Sequence, residues 1–490
     1  MKINLYNSLS RKIEEFEPLK NDLVRIYSCG PTVYNYSHIG NMRAFLFADL
    51  LQRTMRTTGK YNVRWVMNIT DIDDKTIRDS SKGSQNWLPQ MGEQTDLPLD
   101  NLKKFTKFYE QAFLEDIAKL GIEKNHFYSM PHATDFIPQM QELIRKIYNN
   151  GYAYISENSV YFNVSRWAEN GEYGKLKKID FDNFKKGARI DSDQYEKEDA
   201  NDFALWKAKK EGEPYWEFDL FGQMLPGRPG WHLECSTMEY ELLGLPFDIH
   251  TGGVDLKFPH HEDEIAQSKA GYGFDPNRFW CHNEFLEVEG EKMSKSLGNF
   301  FTLRDLIAKN IDPIDIRYLM FSVHYRTKFN FTNDGIVAAR KARLKVQEYI
   351  YELFNASENP IINEIPPEDD LLNRFSAELS NDLHTPKALA NLFDFINNYP
   401  PQNLSASLKS TLIDEFKQIN AIFNTWQVEK KTDEVIEIPD EIIKLAEERL
   451  LAKKQKNFTK SDELRQAISN LGYLVIDTKT GFEIKVKKND

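Results

Sequence analysis

Two short segments, far apart in the chain, carry side chains suited to binding phosphate groups. Residues 38–41 read His-Ile-Gly-Asn, and residues 291–299 read Glu-Lys-Met-Ser-Lys-Ser-Leu-Gly-Asn. Lys292 and Lys295 lie on a predicted loop between glycines, so their ammonium groups could neutralise charge that develops on phosphates in a transition state. Taken singly, a His-x-Gly triplet is most often a turn and a lysine-serine pentapeptide a solvated loop. The order and the flanks of the two segments therefore decide the interpretation.

The elements around the first segment predict how it would meet a phosphate. A buried strand, Leu23 to Tyr27, is followed by a turn rich in Gly, Pro and Asn and then by an amphipathic helix, Met42 to Thr54. The start of a helix offers free N–H groups and the positive end of its dipole. We therefore expect His38 and Asn41 to bind a nucleotide phosphate or ribose, with Gly40 permitting its close approach.

A third polar segment extends the pattern, because Asn68 to Lys75 follows a strand-like stretch, where a second Rossmann strand would deliver polar groups to a crevice. Together the three segments make the sequence resemble the cysteinyl-tRNA synthetases, a family of class I aminoacyl-tRNA synthetases, from end to end. The segments that carry the resemblance are Tyr27 to Arg43, Asn68 to Lys75, Gly187 to Lys207, Gly227 to Cys235, Phe247 to Ser268 and Glu291 to Leu306.

The chain departs from the family pattern at a few positions. Asn41 stands where many synthetases have a second His, and Lys177 and Lys178 replace a common Ser-Gly pair. Residues 80–101 and 215–226 look expanded, and their Gly, Gln, Pro and Trp content predicts surface loops of undetermined role.

The resemblance implies an α/β fold: a Rossmann-type class I synthetase catalytic domain with an inserted connecting region, followed by a helical bundle and a small C-terminal anticodon-binding domain. The expected boundaries are 1–125 and 228–302 for the two catalytic halves, 126–227 for the insertion, 303–334 for a stem-contact segment, 335–427 for the bundle and 440–490 for the anticodon-binding domain. Long patterns with a period of 3.6 residues independently predict the bundle helices, which are Gly335 to Phe354, Asp370 to Asn397 and Leu408 to Trp426.

The resemblance also implies a zinc site formed by Cys29, Cys235, His260 and Glu264. The spacing of His260 and Glu264 supports the pairing, since residues i and i+4 share one face of a helix and Pro259 suits a helix start. Without the resemblance, two buried cysteines and a solvated acidic helix start would be the simpler interpretation. Because Zn²⁺ prefers thiolate to hydroxyl, such a site would select cysteine over serine chemically.

Further roles follow from the resemblance alone. His38, Lys292 and Lys295 are expected to be catalytic, ATP with Mg²⁺ is the expected nucleotide substrate, and Lys295 is the first choice for the phosphate contact. The expected cysteine pocket is Thr70, Trp231 and Asp255, with Asp255 holding the ammonium group. The expected anticodon contacts are Lys453, Phe458, Asp462, Arg465 and Asp477. Cys281 is expected to be a buried or free thiol, and His261 to support a ligand or cap a helix.

Length, composition and charge are compatible with this interpretation. The 490 residues suggest three or four units, and the three cysteines are odd in number and far apart, which argues against a disulfide framework. No apolar run long enough to span a membrane occurs, so a cytoplasmic protein without a membrane partner is expected. A monomer is expected as well. The net charge of -12 argues against nucleic acid, but Glu441 to Asp490 carries 11 Lys and Arg against 8 Asp and Glu, a local charge of +3 that suits tRNA.

Three functions are compatible with these residues. The first is the ligation of L-cysteine to tRNA(Cys) through an adenylate. The second is a related ligase that joins activated cysteine to a small amine and needs no anticodon-binding domain. The third is an inactive, tRNA-binding paralogue. The long helical part with its basic tail argues against the second, and the intact phosphate-binding and metal-ligand positions argue against the third.

Overall fold

The computed structural model describes residues 1–178, 202–292, 300–357, 360–431, 439–478 and 481–486. The chain divides into two compact units, Met1–Glu429 and Lys430–Asp490, which are described separately.

In the first unit, the strands are β1 (Ile3–Asn7), β2 (Lys12–Phe16), β3 (Leu23–Ser28), β4 (Asn62–Met67), β5 (Phe127–Ser129), β6 (Ala153–Ser156), β7 (Ser159–Phe162), β8 (Phe203–Ala208), β9 (Asp219–Leu220), β10 (Gln223–Met224), β11 (Gly227–Pro229), β12 (Phe247–Gly253), β13 (Asn277–Asn283), β14 (Leu286–Val288), β15 (Glu291–Lys292) and β16 (Phe329–Phe331). The α-helices are α1 (Ile39–Thr57), α2 (Asp74–Ser80), α3 (Pro98–Lys119), α4 (Ile137–Asn149), α5 (Val164–Ala168), α6 (Trp231–Leu243), α7 (His260–Tyr272), α8 (Leu303–Ala308), α9 (Pro313–Phe321), α10 (Asn333–Leu353), α11 (Leu371–Ser380), α12 (Thr385–Asn398) and α13 (Ala406–Phe423).

The centre of this unit is a five-stranded sheet in the order β13-β12-β3-β4-β5, in which all neighbours are parallel. The chain builds outward from β3 to β5 on one side and later from β12 to β13 on the other, so the winding reverses between β3 and β12. In such sheets ligands bind outside the carboxyl ends of the strands at this reversal. The arrangement confirms the predicted α/β fold.

The local sequence explains the two elements next to this reversal. Five of the six residues of β3 are buried, as expected for a strand covered on both faces. Helix α1 begins after His38, whose side chain accepts a hydrogen bond from the free backbone N–H of Asn41. Its many buried side chains pack in the large core that this unit forms with its helical part.

The region between β5 and the second catalytic half forms its own antiparallel sheet, in the order β11-β8-β7-β6, over a separate apolar core. One expanded segment, residues 215–226, contains the hairpin β9–β10 rather than an irregular loop. The other, residues 80–101, contains a 3₁₀ turn, Pro89–Met91, and its Trp87 stacks near Phe105 of α3.

The helical part corrects one prediction, because the pattern from Asp370 to Asn397 is two helices, α11 and α12, instead of one. The break contains Asp382 and Leu383, both in the left-handed backbone region, with φ of 58° and 52°. The Asp382 carboxylate accepts hydrogen bonds from the Tyr6 backbone, the Tyr325 hydroxyl and the Arg326 guanidinium. These distant contacts, which no helical period encodes, accompany the interruption.

The second unit contains α14 (Asp440–Lys454), α15 (Phe458–Asn470) and the antiparallel hairpin of β17 (Tyr473–Asp477) and β18 (Phe482–Val486). A small core of Ile442, Ala446, Ile468 and Val475 holds these elements together. Among the helices of the described ranges, none combines the length and the apolar character needed to cross a bilayer.

Candidate active site and metal centre

The four predicted metal ligands come from three elements that meet at the carboxyl end of the central sheet. Cys29 directly follows β3, and Cys235 lies in the second turn of α6. His260 is the first residue of α7, and Glu264 follows it one turn later on the same face. The structure therefore brings together two segments separated by about two hundred residues of sequence. We call these four side chains the thiol cluster.

The ligating atoms of the thiol cluster all lie within 4.8 Å of one another. The two Sγ atoms are 4.0 Å apart, Cys235 Sγ lies 3.6 Å from His260 Nε2, and Cys29 Sγ lies 3.8 Å from Glu264 Oε1. Zinc bonds of about 2.3 Å to sulfur and about 2.0 Å to nitrogen or oxygen give edges of roughly 3.4 to 3.8 Å in a tetrahedron. The four residues thus fit a zinc ion in both donor type and spacing.

The electrostatics of the cluster favour charged ligands. Burial raises the pKa of the Cys235 thiol, but the hydrogen bond with Cys29 and the neighbouring His260 outweigh burial and lower that pKa. Burial also raises the pKa of Cys29, and it is reinforced by the adjacent Cys235 and Glu264. Neighbouring imidazoles, His260 and His250 foremost, hold the pKa of the buried Glu264 well below its usual range, so a metal ion would chiefly supply the positive charge that two thiolates require.

A second layer of ionisable groups, which the sequence interpretation missed, surrounds the ligands. His250 of β12 lies 3.0 Å from Glu264 and 2.9 Å from Glu239 of α6. His261 lies 3.4 Å from Cys29 Sγ through Nε2 and 2.8 Å from His282 through Nδ1. The only sequence signal for these residues is the unusual presence of polar groups in a buried strand, such as His250 in β12. His261, for which the sequence suggested a supporting role, belongs to this layer.

The three residues predicted for the cysteine pocket do not all lie in one place. The Trp231 ring stacks on the imidazole of His260, with centroids 4.2 Å apart. Thr70 is buried and donates to Glu234, the residue next to Cys235. Asp255 lies instead on the turn after β12 and borders a cavity of about 670 Å³. Trp231 therefore adjoins the thiol cluster and Thr70 contacts the residue next to it, whereas Asp255 lies on the separate turn that borders the cavity.

The start of α1 presents a neutral imidazole. Burial lowers the pKa of His38 to about 4, and its Nδ1 accepts the backbone N–H of Asn41 at 3.2 Å. In the neutral ring Nε2 then carries the hydrogen and is able to donate to a phosphate oxygen. Gly40 and Asn41 occupy the first turn. The N–H groups of Ile39 and Asn41 already donate to the Phe301 carbonyl and to His38, so Gly40 rather than these two would present its N–H to a phosphate.

The lysine segment flanks this helix start. Its first residues form β15, which pairs with β14, so the backbone of Lys292 belongs to a small sheet. Immediately beyond it, the carbonyl of Phe301 accepts the N–H of Ile39 at 3.0 Å, and the Phe300 ring lies edge-on to His38. Lys295 lies outside the described residues. The flanks nevertheless bring the two predicted phosphate-binding segments to the same helix start.

Comparisons with known proteins agree with this geometry. A family model described as the class I (C) tRNA synthetase catalytic domain matches residues 15–341. The chain is 43% identical to the cysteine–tRNA ligase of Brachyspira hyodysenteriae over 498 residues, which covers 99% of each chain. It is 42% identical to that of Chlamydia caviae, over 99% of this chain and 98% of the relative. The chain belongs to the cysteine–tRNA ligase family.

Solved structures of other class I synthetases share the fold. Methionyl-tRNA synthetase from Mycobacterium tuberculosis, in complex with methionyl-adenylate, superposes with a TM-score of 0.55 at 14% identity, covering 82% of this chain and 88% of that one. A putative arginyl-tRNA synthetase from Campylobacter jejuni gives 0.52 at 13% identity, covering 85% and 95%. These structures show the shared fold alone, whereas the family model and the relatives show that the protein is an ATP-dependent class I aminoacyl-tRNA synthetase and confirm the predicted family.

In the second unit of this synthetase, the predicted anticodon contacts divide into two sets. Phe458 is 61% exposed at the start of α15, and Asp462 and Arg465 are exposed one and two turns later on the same helix. Asp477 instead accepts hydrogen bonds from Arg449 and Lys453 within the unit. The first set is open to a partner, while Asp477 and Lys453 already bind each other.

Proposed function

We propose that this synthetase activates L-cysteine with ATP and transfers the cysteinyl group to the 3′ end of tRNA(Cys), with the thiol cluster holding zinc. The observation that carries the proposal is the convergence of two thiols, an imidazole and a carboxylate within 4.8 Å at the carboxyl end of β3. Cys29 of this cluster and His38 both lie between β3 and α1. This arrangement supports a ligand site for a thiolate and a phosphate site at the same edge of the sheet.

Selection of cysteine would rest on the chemistry of the cluster. A bound Zn²⁺ supplies a soft Lewis acid that takes the thiolate of the substrate as a further ligand and has little affinity for the hydroxyl of serine. The Trp231 ring, stacked on His260, fixes the plane of that imidazole. A pocket that relied on size alone would separate cysteine from serine by only about 1 to 3 kcal/mol. The metal ligands therefore account for specificity better than shape does.

Adenylate formation joins an oxygen of the cysteine carboxylate to the α-phosphorus of ATP, and diphosphate leaves with the electrons of the broken P–O bond. Negative charge increases on the phosphate oxygens during this step, so donors fixed in advance contribute to the rate. Neutral His38 would donate through Nε2 and the first turn of α1 through the N–H of Gly40, while Lys292 and Lys295 would act through their charges. In the second step, a hydroxyl of the terminal ribose of tRNA attacks the activated carbonyl carbon, and AMP leaves.

The second unit supports tRNA rather than a small amine as the acceptor. Phe458, Asp462 and Arg465 form an exposed face with an aromatic ring, an acceptor and a cation. Unpaired bases of an RNA loop are bound by stacking on such rings and by hydrogen bonds to their edges. A ligase for small amines would have no use for this face.

The test combines one product assay with elemental analysis. We expect about one zinc per chain, cysteine-dependent exchange of diphosphate with ATP, and cysteine-dependent charging of tRNA(Cys). Serine at the same concentration is the control and should support neither reaction. A metal-free protein with full activity, or an equal exchange rate with serine, would contradict the role of the thiol cluster.

Truncation tests the acceptor. Removal of residues 440–490 should leave cysteine-dependent exchange nearly intact, because that chemistry uses the first unit, but should raise the tRNA KM of aminoacylation. The full chain with Phe458→Ala should show a smaller loss in the same direction, as stacking contributes about 1 to 3 kcal/mol per base. If the truncated enzyme charges tRNA as well as the full chain does, the anticodon role of this unit is wrong.

A further inference from the structure

Arg43 is a buried cation on the helix that begins at the phosphate site. It lies five residues after His38 and is only 3% exposed. Its Nη1 donates to the Phe285 carbonyl at 2.5 Å, and its Nη2 donates to the Thr327 carbonyl at 2.5 Å. The carbonyls of His324 and Tyr325 lie 3.4 Å from the same Nη2. One side chain of α1 thus contacts four main-chain carbonyls from two distant segments.

Those carbonyls belong to the support of the lysine segment. Phe285 directly precedes β14, which pairs with β15, the strand that contains the backbone of Lys292. The segment that ends at Thr327 leads into β16, which pairs with the other edge of β14. The N–H of Phe329 also donates to the Phe285 carbonyl at 3.1 Å. Arg43 therefore connects the start of α1 to the three-stranded sheet from which the lysine segment extends.

The chemistry of these contacts requires a guanidinium. Burial lowers the pKa of Arg43 to about 10, and the charge of Glu284 acts against this shift, so the side chain remains a cation at neutral pH. A guanidinium offers several donors in one plane and reaches carbonyls on two sides, whereas an ammonium is a single point with three donors. The Phe329 ring lies beneath it, 5.4 Å from Cζ, and restricts the plane further.

We propose that Arg43 is a positioning residue for adenylate formation, which holds the β14–β15 hairpin in place against the start of α1. The lysine segment, which continues from this hairpin, and the start of α1 would then act on the same phosphates. The inference rests on the proposed function, because it assumes that both segments act on ATP. Arg43 is buried against main-chain carbonyls and acts on the lysine segment through the hairpin that precedes it.

The effect of Arg43→Lys on the exchange reaction tests this role. A displacement of about 1 Å in a reacting group lowers rates by up to roughly 10²-fold, so we expect kcat to fall by at least about 10-fold. The KM for cysteine and the zinc content should not change, because the thiol cluster lies on other elements. A general loss of folding would instead reduce the active fraction, the zinc content and the melting temperature together.

A double-mutant cycle with Lys295→Ala separates positioning from a direct role. If Arg43 acts through the lysines, Arg43→Lys should slow the Lys295→Ala enzyme by less than about 3-fold, far below its effect on the unmodified enzyme. Equal factors in both backgrounds would overturn the inference. An unmodified enzyme without any cysteine-dependent exchange would instead disprove the proposed function, so the two failures are distinguishable.

Arg25→Lys is the matched control. Arg25 is also 3% exposed, and it donates to the Leu243 and Pro246 carbonyls at 2.8 and 2.7 Å, but the hydrogen-bond partners of its side chain among the described residues all lie between Leu243 and Asp248, away from β14. Its substitution should change the exchange rate by the same factor with and without Lys295→Ala.

Phe329→Leu is a second variant that tests the same role if the Arg43→Lys protein does not fold. It removes the ring beneath the guanidinium but leaves the hydrogen bonds in place. We expect a smaller fall in kcat that is again suppressed in the Lys295→Ala background. A fall of equal size in both backgrounds would overturn the inference as well.

Discussion

Two buried groups of ionisable side chains in the first unit differ in how their charges are balanced. One is the thiol cluster, in which Cys29, Cys235 and Glu264 face one point together with a single imidazole. The other, which we call the arginine cluster, consists of Asp49 and Arg53 on α1 and Arg317 on α9. Both lie in the catalytic unit at comparable depth, so the comparison isolates the arrangement of charge.

The arginine cluster is complete without any ligand. Arg317 donates to Asp49 at 2.6 Å, and Arg53 donates to both oxygens of the same carboxylate at 3.0 Å. Their other donors bind main-chain carbonyls, among them those of Leu120 and Phe423, and Arg53 also donates to the carboxylate of Glu123. The cluster therefore joins α1 to the end of α3 and to α13. Removing one partner from such a group is strongly destabilising, because it leaves a buried charge uncompensated.

The thiol cluster differs, because two thiols and a carboxylate converge on one point, and the imidazoles of His260 and His250 balance only part of the negative charge that these groups would carry when ionised. A buried group of this kind is stable only when a cation neutralises it or when its members remain protonated. The difference between the clusters shows how a buried charged group that supports the fold can be distinguished from one that binds a ligand. Charges that complement one another within the protein support the fold, whereas like charges that converge indicate a ligand.

Removal of one thiolate from the thiol cluster should have the largest effect, and it tests the contrast between the two clusters most sharply. Cys235→Ser should lower cysteine-dependent exchange on the order of 10³-fold, because the site would lose both its metal and its means of binding the substrate thiol. Zinc analysis and exchange kinetics measure the two losses. ATP binding, followed by equilibrium titration, should change little, and retention of zinc with full activity would remove the distinction between the clusters.

A structural role for the arginine cluster predicts a large loss of stability instead. Asp49→Asn leaves two buried guanidinium groups without their carboxylate and should reduce the free energy of unfolding by about 3 to 5 kcal/mol. Urea denaturation at neutral pH measures this change. Zinc content of the folded protein should stay at the unmodified level. If the variant instead loses zinc without losing stability, the two clusters are coupled and the comparison is wrong.

Lowering the pH should have the smallest effect, a gradual change in the stability that Asp49 contributes. Burial alone would raise the pKa of Asp49, but the charge of Arg317, a hydrogen bond with His126 and the charge of Arg53 together hold it well below the ordinary value of 3.8. A carboxyl with a depressed pKa stabilises the fold above its unfolded pKa, and this contribution is lost as the pH falls. The stability difference between the unmodified protein and Asp49→Asn should therefore narrow below pH 3.8, by at most about 1.4 kcal/mol per pH unit.

Denaturation curves between pH 6 and pH 3 measure this narrowing. Above the ordinary pKa of the carboxyl, the difference should be constant with pH. A difference that stays constant down to the lowest pH at which both proteins fold would show that Asp49 does not titrate as an ion pair.

Several local features could be predicted from the sequence. The strand before Cys29 and the helix after His38 were placed to within a few residues, because burial runs and helical periods are encoded in adjacent positions. The pair His260 and Glu264 shares a helix face as its spacing requires. The helix break at Asp382 was missed, since its cause lies in contacts with Tyr6 and Tyr325 far away in the chain.

The sequence by itself determined the family, the alternation of strands and helices, and the types of side chain available for thiol and phosphate chemistry. Only the tertiary structure decided which of them meet. Cys29 and Cys235 are 206 positions apart, and Arg43 and Phe285 are 242 positions apart. Local propensities cannot encode such distances, because contacts of this kind form only when the β3–β12 reversal and the packing of α1 bring the separate segments together.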